Sequence, residues 1–193
     1  MTSSRAALLI LDLISDYQYP DAETIIPAAR RLAKQIAALK TRAVRAGVPV
    51  IYVNDTRGHW ESDQARFVER CLEASDDAAW IVRTLMPEQN DYFLFKPRHS
   101  AFYATSLSEL LQQLGLSSLI VTGLTAHQCV LFTAMDAHVR RYELTIPSDC
   151  VASSTPAETR HALFILERSA GARVIPARSI RFARQRHRAK KPD

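Results

Sequence analysis

Glycine and cysteine are scarce: five and three among 193 residues. With so few glycines the chain has no G-x-G-x-x-G, no Walker-type phosphate loop and no G-x-S-x-G elbow, which removes the common nucleotide-binding and serine-hydrolase signatures. Three cysteines are too few, and the wrong number, for a disulfide framework, and none falls in C-x-x-C. They suit a reduced chain in which any one thiol can act as a nucleophile. There is no H-E-x-x-H. No stretch approaches the ~20 consecutive apolar residues of a membrane span. The first residues lack a charged region followed by an apolar core and a cleavage site, so the expectation is a cytoplasmic protein without a secretory leader.

The net charge of +5 is concentrated at one end. Residues 178–193 hold Arg178, Arg181, Arg184, Arg186, Arg188, Lys190 and Lys191 against Asp193 alone, which leaves the remainder near neutrality. That excludes a basic nucleic-acid face over the body of the chain. The expected organisation is one domain, residues 1–180, followed by a basic tail, residues 181–193.

What the chain does have is an alternation of apolar runs and helical patterns. Ala6–Leu11, Val48–Val53, Tyr92–Phe95, Leu119–Thr122, Glu143–Ile146 and Arg173–Ile175 read as strands, the clearest of them continuous enough for a sheet buried on both faces. Ile26, Ala29, Leu32, Ala33, Ile36, Leu39 and Ala43 recur at helix spacing before Gly47. Ser106–Glu109 and Thr155–Glu158 read as capping boxes, and residues 126–140 as a helix. Residues 56–90 read as one helix plus long loops. The pattern predicts an α/β domain with a mostly parallel six-stranded sheet.

In such sheets ligands sit at the carboxyl ends of strands. Asp12, Asp55, Lys96 and the segment Gly123–Cys129 all lie there. Cys129 opens the helix after the fourth strand, where free N–H groups and partial positive charge lower a thiol pKa and bind an oxyanion. Lys96 would lower it further, and Asp12 would carry the thiol proton to a leaving amine. Against this, a lone cysteine usually packs inertly, Asp12 suits a turn, and Lys96 before Pro97 suits a solvated loop. Cys71 and Cys150 lack such company. Asp55 and His59 are a possible metal pair, but two ligands are fewer than a stable site needs.

The runs LLILDLISDY, LFKPRHSAFYAT and VTGLTAHQCVLFTAMDA, in this order, resemble the isochorismatase-like cysteine hydrolases, a family that includes nicotinamidases and N-carbamoylsarcosine amidases. The likeness extends from about Ala6 to Ile175. It implies a three-layer α/β/α fold of Rossmann-like type and the catalytic triad Asp12, Lys96 and Cys129. It also implies a cis peptide between Leu124 and Thr125, with the backbone N–H groups of Thr125 and Cys129 as the oxyanion hole. Nicotinamidases bind a metal through an Asp-x-His pair; here Arg57 stands at the first His position, so neither metal nor cofactor is expected. By position, Tyr17, Trp60, Phe102, Tyr103, His127 and Gln128 are the candidate substrate contacts.

The resulting expectation is hydrolysis of a C–N bond in a small amide, ureide or carbamoyl substrate through a thioester. Family members that cleave the vinyl ether isochorismate lack the cysteine, so vinyl-ether hydrolysis is the alternative, and a non-catalytic binding module is another. The expected partners are a small-molecule substrate and copies of the chain itself, as a homodimer or homotetramer, with neither nucleic acid nor membrane.

Overall fold

A computed structural model of the chain describes residues 5–20, 22–56 and 63–182. Seven strands form one parallel sheet: β1 (Ala6–Leu11), β2 (Val50–Asp55), β3 (Tyr92–Lys96), β4 (Ser118–Leu124), β5 (Glu143–Pro147), β6 (Val151–Ala152) and β7 (Arg173–Ile175). The order is β3-β2-β1-β4-β5-β7. The two-residue β6 pairs with Gly123–Leu124 of β4, just beyond the stretch of β4 that pairs with β5. The chain builds from β1 outward to β3, then crosses back to place β4 on the other side of β1. The β1/β4 boundary is therefore the point where strand order reverses, and it opens a crevice at the carboxyl ends.

The six helices are α1 (Ala22–Arg45), α2 (Gln64–Ala74), α3 (Asp76–Thr84), α4 (Leu107–Gln113), α5 (Leu131–Val139) and α6 (Pro156–Ser169). They split into two layers. Leu8 and Ile10 of β1 pack with Ile25, Ile36, Phe67 and Ile81 of α1–α3. Ala7, Leu9 and Leu11 pack with Leu107, Leu111, Ala134 and Leu166 of α4–α6. The strand alternates its side chains between two cores because its period is two, and both sets are apolar because both faces are covered. No helix among the described residues is long and apolar enough to cross a membrane.

Local chemistry explains most of the helix ends. Gly47 (φ 75°) closes α1, with its own N–H bonded to Val44 and that of Val48 to Ala43, a left-handed terminus that suits glycine. The Thr155 hydroxyl accepts from the Glu158 N–H while the Glu158 carboxylate accepts from the Thr155 N–H, so the second capping box forms with Pro156 at the first helical position. The first does not form. Ser106 makes no side-chain cap, and Thr105 accepts from Leu107 N–H instead, held by its own bond to the Ala101 carbonyl. Residues 63–84 form two helices rather than one. Extended Ser75 breaks the run, and its hydroxyl caps α3 through Ala78 N–H. The helix expected over 126–140 begins with a π-helical turn, Ala126–Val130, before α5. The folded unit does not stop at Ile180. Phe182 packs on the α1 side, under the Arg42 guanidinium, which also donates to the Ala177 and Ile180 carbonyls.

Candidate active site

Three backbone features bring the site together at the β1/β4 crevice. Asp12 follows β1 with φ 54°, a left-handed turn that aspartate tolerates. Gly123 pairs with Leu11 across β1/β4 at φ 115°, and a Cβ there would stand 2.0 Å from the Leu11 carbonyl oxygen. Only glycine lets the two strand ends approach this closely. The Leu124–Thr125 peptide is cis, and the π-helical turn carrying Cys129 follows it. The Thr125 carbonyl accepts from the N–H groups of Gln128 and Val130.

Asp12, Lys96 and Cys129 meet there. The Lys96 Nζ lies 2.9 Å from Asp12 Oδ2 and 3.3 Å from Cys129 Sγ. Asp55, at the end of β2, adds a second carboxylate 3.5 Å from the same ammonium. Its backbone N–H donates to Asp12 Oδ1 at 2.7 Å. Lys96 is 0% exposed and Cys129 8%. A cation so buried persists only when paired, and two carboxylates pair it. Beneath, wholly buried Asn54 accepts the Ile14 N–H and ties the loop after β1 to β2.

Two opposing influences set the charges. Burial disfavours the Lys96 ammonium, but Asp12, Cys129 and Asp55 together outweigh it and raise its pKa above the ordinary lysine range. For Cys129, burial is the largest influence and pushes the thiol up. The Asp12 charge and hydrogen bond push the same way, and Lys96 only partly offsets them. Together these influences favour the thiol over the thiolate, the opposite direction from the helix start and Lys96 taken alone. An acidic neighbour that holds the proton on sulfur is also placed to receive it when sulfur attacks.

The remaining candidates scatter. Tyr17 is core, its hydroxyl donating to the Leu13 carbonyl at 3.3 Å and its ring stacked on Tyr19. Phe102 is also core, against Tyr142 and under Arg140. Tyr103 is 59% exposed. His127 is anchored through its Nδ1, 2.7 Å from buried Ser153 Oγ, and Gln128 accepts from the Thr125 hydroxyl at 3.4 Å. Trp60, Arg57 and His59 lie outside the described residues. Among the described residues no group of three or more His, Cys, Asp and Glu side chains is arranged to hold a metal. The sequence reading missed His99, whose Nδ1 stands 3.8 Å from Cys129 Sγ. Its position three residues beyond Lys96 was the available signal.

Comparison with known proteins places this geometry. The model of the isochorismatase domain matches residues 6–179. The isochorismatase family protein YaaI of Bacillus subtilis is 39% identical over 168 residues, 86% of this chain and 91% of that protein. An isochorismatase of Bacillus subtilis is 33% identical over 153 residues, 77% of this chain but 48% of its own length, so the chain spans about half of that relative. Among solved structures, N-carbamoylsarcosine amidase from Thermoplasma acidophilum superposes with a TM-score of 0.72 at 28% identity, covering 91% of this chain and 98% of the amidase.

Proposed function

The chain belongs to the isochorismatase family, and from that premise we propose that it is a cysteine-dependent hydrolase of a C–N bond in a small amide, ureide or carbamoyl compound. One observation carries the reading: a thiol sits 3.3 Å from a buried ammonium that is itself paired with Asp12 at 2.9 Å. The likeness to an amidase over nearly its whole length supports the bond type.

In the first half-reaction Asp12 takes the Cys129 proton as sulfur attacks the carbonyl carbon. Burial and Asp12 both favour the thiol over the thiolate, which suits a proton transfer that accompanies attack. Lys96 balances the negative charge that then passes between sulfur and carboxylate, in a site where burial strengthens its field. The N–H groups of Thr125 and Cys129 receive the oxyanion. As the C–N bond breaks, Asp12 returns the proton to nitrogen, ammonia or an amine leaves, and the acyl group stays on Cys129 as a thioester. Water then frees the acid.

A second reading is favoured by the 33% identity to an isochorismatase. Vinyl-ether cleavage would use Asp12 as a proton donor to carbon and leave Cys129 idle. A screen for ammonia or amine release over small amides, ureides and carbamoyl compounds separates the two, with Cys129→Ser and Cys129→Ala as controls. The amidase reading expects release by the wild type alone. Pyruvate release from a vinyl ether that survives Cys129→Ala would establish the other.

A further inference from the structure

The first half-reaction uses Asp12, Lys96 and Cys129 and leaves His99 without a task. We propose that His99 is the general base of the second half-reaction, the group that activates water against the thioester. This rests on the thioester chemistry above.

Three observations carry it. The first is contact: His99 Nδ1 is 3.8 Å from Cys129 Sγ, within reach of the reacting atoms. The second is side. Lys96, which is 0% exposed, approaches the sulfur from the buried interior, whereas His99 is exposed. We take the attacking water to arrive from that exposed side. The third is that the imidazole is held. The next residue, Ser100, donates to Asp136 at 2.6 Å, and the Ala101 N–H donates to Thr133 Oγ1 at 2.9 Å, so the loop is fastened to α5. The His99 ring lies against Phe132, three residues past Cys129 on the same helical segment, with centroids 5.4 Å apart. A solvated loop histidine needs no such fastening, whereas a general base requires a fixed position.

The step balances. Water oxygen bonds to the thioester carbon while its proton passes to the neutral imidazole. The tetrahedral intermediate collapses, the C–S bond breaks with its electron pair to sulfur, and the imidazolium returns the proton to the thiolate across the Nδ1–Sγ gap. Acid leaves, and the enzyme is again thiol and neutral imidazole. No oxidant or further reactant is needed.

The test is rapid-quench kinetics on the full chain with a substrate from the ammonia-release screen, using His99→Gln and His99→Asn. The expected result is a first turnover of ammonia near the wild-type rate, then a steady state slower by about 10²-fold, the lower end of general base catalysis. Intact mass should show the acyl group accumulating on Cys129. Hydroxylamine, which attacks a thioester without a base, should restore turnover, and the melting temperature should be unchanged. Wild-type kcat in both variants overturns the proposal. So does slowed ammonia release with no acyl-enzyme. Failure of the underlying reading looks different, since Cys129 would then acquire no acyl group even in the wild type.

Discussion

Two lysines are buried at opposite ends of β3, each against two carboxylates, and they serve different ends. Before the strand, Lys40 of α1 lies 2.6 Å from Asp91 and 3.3 Å from Glu88, donates to the Met86 carbonyl, and stands over the Tyr52 ring. At the strand's last residue, Lys96 lies 2.9 Å from Asp12 and 3.5 Å from Asp55, with a thiol at 3.3 Å. A buried, carboxylate-paired ammonium is therefore not in itself a catalytic feature. What separates the two is position and company. Lys96 stands at the carboxyl ends of the strands, beside the order reversal and the Cys129 thiol. Lys40 stands at the amino end of β3 and fastens α1 to the chain entering that strand.

The largest contrast is expected from removing the two cations in turn. Lys96→Met should lower kcat by about 10²–10³, the usual loss for one preorganised electrostatic group. It should also move the alkylation midpoint of Cys129 further upward, because Lys96 is what offsets burial and Asp12. Iodoacetamide labelling against pH reads this directly. Cys150, raised by burial and Asp149, should keep its profile. Lys40→Met should do the reverse. It strands nearly buried Asp91 and should destabilise the fold by about 3 kcal/mol in chemical denaturation, with kcat per folded molecule intact. Equal catalytic losses at both lysines would erase the distinction.

Alkaline pH should sharpen it next. Burial raises both Cys129 and Cys150 above the ordinary thiol value. A raised folded-state pKa stabilises fully below the unfolded value and is lost as pH climbs past it. Above about pH 8.5 the unfolded chain releases thiol protons that the folded one keeps, which removes about 1.4 kcal/mol per pH unit for each thiol. Cys129→Ser should flatten this decline by one thiol's share when urea midpoints are compared between pH 8 and 10. An unchanged slope would mean that Cys129 already ionises in the folded protein. The smallest effect belongs to the α1 side of the sheet. Phe182→Ala removes a partly buried ring from under Arg42 and should destabilise by about 1 kcal/mol without touching kcat.

How far the sequence foretold all this depends on the physics involved. The first four strands were legible because continuous apolar runs have few uses other than a sheet covered on both faces, and the weaker Glu143–Ile146 and Arg173–Ile175 completed the six. The meeting of Asp12, Lys96 and Cys129 was legible because each ends or closely follows such a run. The division of residues 63–84 into two helices had a signal that the reading passed over: Ser75 before Asp76 and Asp77, whose hydroxyl accepts from the Ala78 N–H and caps α3. Lys40 reads from sequence as a helix-surface charge, since its carboxylates come from beyond α3. Nearness to Lys96 in sequence does not decide where Phe102 packs; the bonds from Ser100 and Ala101 fasten its loop to α5.

The central claim is that Asp12 moves the proton between Cys129 and the leaving nitrogen, and one substitution addresses it directly. Asp12→Asn preserves shape but cannot accept a proton. With a substrate from the ammonia-release screen, kcat should fall by about 10²–10⁴. Cys129 should remain alkylatable, at a lower midpoint than in the wild type because a cause of its raised pKa is gone. An Asp12→Asn protein that turns over at close to the wild-type rate would make Asp12 a turn residue and contradict the mechanism.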